Sequence, residues 1–155
     1  LTLTSSTVAF NHSTSSASVG DGLYSKAPLT LHSSIIADNV GPSGPSDIGG
    51  ANGAVITNGS ANNLITSSTL SVPFGTLFDC PQLEPLANNG GPTRTHALKH
   101  TSPAIDQGDA GFLTFDQRFA PRTAGARADI GSVEWQPGET DERIFVSGFD
   151  GLCDQ

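Results

Sequence analysis

Apolar and polar residues alternate in Leu1-Thr2-Leu3-Thr4 and again in Leu29-Thr30-Leu31-His32. A two-residue period predicts short β-strands, with the leucines on one side and the polar residues on the other. The second segment is a return of the first. Residues 1–11 reappear as residues 29–39, an offset of 28, with 7 of 11 positions identical. A repeat of that period predicts stacked units, each burying its apolar side chains against the next. The segments are β-branched and rich in Thr and Ser, with Gly and Asn between them, which favours strands over helices. The expected fold is therefore all-β, a solenoid of the parallel β-helix kind.

In this register Leu3 meets Leu31, Val8 meets Ile36 and Asn11 meets Asn39. Leu3 and Leu31 are expected to be buried neighbours. The Asn pair is read as structural, tolerating a left-handed backbone at a turn and forming a side-chain ladder. A third, weaker coil runs through Val55-Ile56-Thr57 to Asn62-Asn63-Leu64-Ile65, giving about three coils over residues 1–79. Prolines 81, 85, 92, 103 and 121 then break the pattern, and residues 80–135 read as an irregular C-terminal cap over the apolar end that a solenoid would otherwise expose. Residues 136–155 read as a tail: a polar linker, then a strand-like segment at 143–149 that carries two aromatics and is expected to dock. Because Leu1 already falls inside a repeat, the N-terminal end is expected to meet either missing upstream coils or a second copy of the chain.

Composition narrows the setting. Residues 1–75 carry four charged side chains (Asp21, Lys26, Asp38, Asp47) and 23 Ser or Thr, so most of the charge falls in the later part. The formal net charge is −8, which argues against nucleic acid and against anionic membrane surfaces, since both need clustered Lys and Arg. No apolar run approaches the roughly 18 residues of a spanning helix. A Lys-poor, Ser/Thr-rich stack fits a secreted or bacterial cell-surface protein, whose export signal would lie ahead of residue 1. The two cysteines, Cys80 and Cys153, are either free thiols or one disulfide. An oxidising compartment favours the bridge, which would close a long loop and contribute about 4 kcal/mol.

The middle zone contains recognisable phrases. Leu86-Ala87-Asn88-Asn89-Gly90-Gly91-Pro92-Thr93-Arg94-Thr95-His96-Ala97-Leu98 is followed by Ser102-Pro103-Ala104-Ile105-Asp106-Gln107-Gly108. Asp116-Gln117-Arg118 with Pro121-Arg122, and Asp129-Ile130-Gly131-Ser132-Val133-Glu134, complete the set. Together they resemble the C-terminal region of bacterial right-handed parallel β-helix proteins of the choice-of-anchor Q type. Two positions depart from that likeness: Phe119 stands where the phrase has Gly, and Lys99-His100-Thr101 replaces a Pro-Gly turn. The resemblance implies a right-handed coil, an exported location and a cap. It implies no reaction.

Candidate chemistry concentrates in the same zone. Asp106, Asp109, Asp116, Asp129 and Glu134 lie among Arg118, Arg122 and Arg127. A catalytic reading takes Asp106, Asp116, Arg118 and Asp129 as an acid–base set of a polysaccharide lyase or glycosidase. The structural reading makes them ion pairs and backbone caps, with Arg118 or Arg122 on Asp106, Asp116 or Asp129. His96 and His100 have a spacing used by zinc, without an evident third ligand. Calcium is conceivable among Asp47, Asp106, Asp109 and Asp116, though no loop matches a calcium signature, and no other cofactor is expected. The favoured function is a non-catalytic structural or adhesion-type module. The alternatives are a carbohydrate-active domain whose site lies mostly on upstream coils, and a glycan-binding module with polysaccharide as partner.

Overall fold

The structure, a computed structural model, describes residues 1–15 and 19–139. The described residues form nine short strands and no helix. They are β1 (Thr2–Thr4), β2 (Thr7–Ala9), β3 (Leu23–Ser25), β4 (Thr30–His32), β5 (Ile35–Ala37), β6 (Val40–Gly41), β7 (Gly44–Pro45), β8 (Ile48–Gly50) and β9 (Leu64–Ile65). Pairing is mostly parallel. β1 pairs with β4, β2 with β5 and β5 with β9, and β3 with β8, while β6 and β7 form a small antiparallel hairpin. The sequence repeat is the pairing register itself. Leu3 lies opposite Leu31 and Val8 opposite Ile36, each 28 residues on, and Ile36 lies opposite Ile65. A slip of one residue would exchange the two faces of each strand.

The three parallel sheets enclose one apolar cluster. Leu29, Leu31, Ile36, Ile48, Ile56 and Ile65 are buried in it, and Leu3, Val8, Leu23, Leu70 and Val72 pack partly buried against it. The expected contact of Leu3 with Leu31 is present, but Leu3 is half-buried rather than buried. β1 pairs on one side only, so half of the Leu3 surface has no neighbour among the described residues.

The central sheet is covered on both faces. Ile36 and Ile65 point into the enclosed cluster, whereas Ile35, Ala37 and Leu64 point the other way and meet Leu83, Leu98, Ala104 and Ile130. Residues 80–135 were expected over the terminal end of the stack. Their buried side chains Leu83, Leu98, Ala104 and Ile130 pack on the outward face of the β2–β5–β9 sheet. This explains why β5 reads Ile-Ile-Ala without alternation: a strand buried on both faces needs no polar side.

The turns between strands repeat as faithfully as the strands. Ser5, Ser33 and Asn62, one residue ahead of the paired positions, take φ of 45°, 47° and 54°. Phe10 and Asp38 form a second such pair, both at 57°. The left-handed residue is thus the one before each expected Asn, and Asn11 and Asn39 supply the ladder instead. Asn11 donates from its Nδ2 and its backbone N–H to Asn39 Oδ1, at 2.7 and 3.1 Å. At the other corner the Ser6 N–H donates to Ser34 Oγ at 3.2 Å, and the Ser34 N–H to Asn63 Oδ1 at 3.0 Å. Asp47, completely buried, accepts from the Asn39 N–H and Nδ2 at 2.9 and 2.8 Å and from Thr66 Oγ1.

Cys80 is half-buried. Its expected partner Cys153, and the expected docked strand at 143–149, lie outside the described residues.

Leu31 is fully buried between two layers. Replacing it with Ala should destabilise the protein by about 2–5 kcal/mol. Urea denaturation measures this, and a loss below about 1 kcal/mol would mean that Leu31 is not at the centre of the enclosed cluster.

Candidate functional site

Residues 99–139 hold one another together with few strand pairings, so their buried N–H groups need acceptors other than a ladder. Carboxylates supply them. Asp116 Oδ1 accepts the N–H groups of Arg118 and Ala120 at 2.7 and 3.1 Å, and its Oδ2 accepts Arg118 Nε and the Glu134 N–H, both at 3.0 Å. Asp129 accepts the Asp106 N–H on Oδ1 at 2.8 Å and the Trp135 N–H on Oδ2 at 2.6 Å. Glu134 accepts the Ala124 N–H on Oε1 at 2.9 Å and the Asp129 N–H on Oε2 at 2.8 Å. Each of the three therefore has both oxygens engaged, and each is buried. Asp106 Oδ1 accepts the Arg127 N–H at 2.9 Å, and Asp109 Oδ1 caps the Gly111 N–H at 2.8 Å.

The two buried arginines differ. Arg118 pairs with Asp116 at 3.0 Å and with Glu139 at 2.6 Å, and it donates to the Glu134 carbonyl. The expected arginine–carboxylate contact is this Arg118–Asp116 pair. Burial opposes the Arg118 charge, but its hydrogen bonds to Glu139 and Asp116 outweigh that and hold its pKa above the ordinary guanidinium value. Arg122, only 1% exposed, donates through Nη2 to the carbonyls of Asp129 and Gly131, both at 2.9 Å. Its nearest carboxylate is Glu134 at 3.8 Å, an ion pair too long for a hydrogen bond. Burial dominates at Arg122 and lowers its pKa. Burial is also the largest influence on Asp129 and Glu134, and it raises both despite their N–H donors.

This lattice is riveted to the stacked strands. The Asp109 N–H donates to Ser33 Oγ at 2.8 Å, the Gly131 N–H to the Ser33 carbonyl at 2.8 Å, and the Ser132 N–H to Thr7 Oγ1 at 3.0 Å. Gly131, at φ 106°, lies so close to β5 that a Cβ there would sit 2.8 Å from Ile35 Cδ1. Gly108 is as tightly placed, with an added Cβ 2.2 Å from the Asp129 carbonyl oxygen. The Asp-Ile-Gly phrase thus docks these loops against β5.

The remaining candidates do not converge on the cluster. His96 donates through Nδ1 to the Glu84 carbonyl at 2.8 Å and packs its ring on Phe10, with centroids 4.8 Å apart. Among the described residues no three His, Cys, Asp or Glu side chains are grouped to hold a metal ion, and Asp47 sits apart inside the stack with Asn39 and Thr66. Sequence reasoning missed two features. One is Asp47 as the anchor of the Asn39 rung; its signal was an isolated carboxylate in an almost uncharged half. The other is the Ser6–Ser34–Asn63 ladder, signalled by Ser5-Ser6, Ser33-Ser34 and Asn62-Asn63 at repeat spacing.

An open groove runs along β2, between it and the loops of residues 80–135. One part, about 430 Å³, is lined by Ser6, Thr7, Phe115 and Arg122; a second, about 350 Å³, by Thr7, Ala9, Arg94 and His96; Gln117 and Ser132 line both. Comparison with family models, with characterised proteins and with solved structures finds no match to this chain.

Asp129 and Glu134 keep their protons to higher pH when folded than when unfolded, because burial raises both. Their contribution to stability is therefore greatest below about pH 4, where both states are protonated, and is lost as pH rises through the folded values. The stability of the wild type relative to Glu134→Gln should rise as pH is lowered from 7, read by urea midpoints across the range. A flat or opposite trend contradicts the desolvation account.

Phe119 is 70% exposed and takes φ 66°. A left-handed backbone costs a residue with a Cβ about 1–2 kcal/mol, and exposure means that little packing would be lost with the ring. Phe119→Gly should therefore raise the melting temperature; a fall would show that the ring holds the Arg118 turn in place.

Proposed function

We propose that this chain is a non-catalytic, structural or adhesion-type C-terminal module of an exported bacterial right-handed parallel β-helix protein. The parallel pairing at the 28-residue repeat, the three sheets around one apolar cluster and the recurring left-handed corners support the β-helix reading. The Lys-poor, Ser/Thr-rich stack supports export.

One observation carries the non-catalytic part. The dense charged cluster was the best place for acid–base chemistry, and both oxygens of Asp116, Asp129 and Glu134 are engaged by backbone N–H groups or by Arg118. A general acid or base needs an oxygen within reach of substrate. These oxygens face the protein's own backbone, and their role is to hold irregular loops on the outer face of a sheet.

Incubation with uronate-containing and neutral polysaccharides, followed by assay for new reducing ends and for unsaturated uronates, tests this. No cleavage is expected. Asp129→Asn, which sets an amide donor against backbone N–H groups, should cost about 1–3 kcal/mol in thermal denaturation. Cleavage abolished by Asp116→Asn or Asp129→Asn at unchanged melting temperature would overturn the proposal in favour of a lyase or glycosidase.

A further inference from the structure

The corner ladders have a direction. Each rung takes the backbone N–H of the layer before it: Asn63 Oδ1 accepts from Ser34, Ser34 Oγ from Ser6, and Asn39 Oδ1 from Asn11. The serine rungs are set in place by their own layer. Ser34 Oγ donates to the His32 carbonyl at 2.9 Å, which leaves its lone pairs facing the earlier layer. Ser6 Oγ has the same posture, donating to the Thr4 carbonyl at 2.9 Å, and Asn11 is held by its Nδ2 on Asn39. Among the described residues nothing donates to Ser6 Oγ or to Asn11 Oδ1. The first rung is thus built to receive, with two acceptors five residues apart on either side of β2.

Three further features lie at the same end. β1, β2 and β3 each stand at the edge of their sheet. Leu3, Val8 and Leu23 are only partly buried, while Leu31, Ile36 and Ile48 in the next layer are completely buried. The groove along β2 is walled by Phe115 and Leu113, which are 57% and 44% exposed and belong to the loops that overhang the strand.

We infer that this end seats one more layer of the same repeat, supplied by polypeptide ahead of Leu1. Its strand adds in parallel to β2, its backbone N–H groups donate to Ser6 Oγ and Asn11 Oδ1, and its outward side chains lie under Phe115 and Leu113. A second copy meeting this end face to face would run its strands antiparallel and would not present N–H groups in the register that the two acceptors require. The inference rests on the β-helix reading and names what that stack binds.

The test compares the 155-residue chain with the same chain carrying an extra copy of residues 1–28 in front of Leu1. The added layer should be protected in hydrogen exchange. The Ser6→Ala/Asn11→Ala double variant should lower the melting temperature by roughly 2–4 °C more in the extended protein than in the original. Equal losses in the two proteins, or an added segment that exchanges as an unfolded peptide, would overturn the inference. A concentration-dependent dimer of the original chain, seen by light scattering and broken by Ser6→Ala/Asn11→Ala, would overturn it in favour of a second copy. Asn39→Ala in the original chain is the separate control. If it leaves stability unchanged, the internal ladder is not a stacking device and the β-helix proposal fails first.

Discussion

At each corner a side-chain oxygen of one layer accepts the backbone N–H of the layer before it, and the architecture depends on that contact. The strands are two or three residues long, and a ladder so short cannot satisfy the backbone at the bends between strands. The chain bends through left-handed residues, Ser5, Ser33 and Asn62 at one corner and Phe10 and Asp38 at the other. Ser33, Asn62 and Asp38 are each followed by a residue whose side chain accepts a backbone N–H from the segment paired before it: Ser34, Asn63 and Asn39. A Leu or Val there would leave a half-buried donor without a partner, at a cost of about 1–3 kcal/mol per layer. The repeat therefore preserves Ser, Asn and Leu together. The leucines supply burial and the polar residues fix the spacing of the paired segments.

The segment laid over the central sheet solves the same problem with stronger acceptors. It has almost no strand pairing, yet Asp129 and Glu134 are essentially without exposure and the chain passes tightly around them. A carboxylate can accept several N–H bonds where a hydroxyl accepts one or two, and charge makes each bond stronger. Three carboxylates can thus organise loops that no ladder organises. The cost is desolvation, visible in the raised pKa of Asp129 and Glu134. Arg122 offsets part of it from inside, while Arg118 pairs with Asp116 and Glu139. An apolar filling of the same volume would be no less stable in general, but it would leave the N–H groups of Asp106, Ala124, Asp129, Glu134 and Trp135 without acceptors.

Much of this was legible in the chain. The 28-residue return of residues 1–11 carried the pairing register, because one residue's shift in a buried strand reverses its faces, and identical spacing is the only way for Leu3 to meet Leu31 and Val8 to meet Ile36. The Asn11–Asn39 ladder followed from the same alignment. Two things did not. Ile35-Ile36-Ala37 lacks alternation, which shows that a strand is buried on both faces without saying that Leu83, Leu98, Ala104 and Ile130 cover the second. In the charged zone, residue types and spacing gave acids beside bases. Whether an acid faces substrate or backbone depends on where loops cross. Asp129 and Glu134 are five apart, and the Asp129 N–H returns to Glu134 Oε2 in a way that no periodic pattern encodes.

The division of charge along the chain follows from these two ways of satisfying the backbone. Where layers repeat, each N–H has an acceptor at fixed spacing, neutral side chains suffice, and residues 1–75 need only four charges. One of those four, Asp47, sits where the repeat is interrupted by the β6–β7 hairpin, and there it does for Asn39 what Asp129 does for the outer loops. Where the repeat stops, the acceptors must be multivalent, and the acids arrive with the arginines that balance them. The acidic zone is thus the structural complement of an irregular chain path on a regular support. Its contacts to Ser33 and Thr7 show how the two are joined, since the loops dock on a corner residue and on the start of β2. A change at a corner should therefore be felt in both parts of the molecule, and a change confined to the strands' inward leucines should loosen the stack before it loosens the loops.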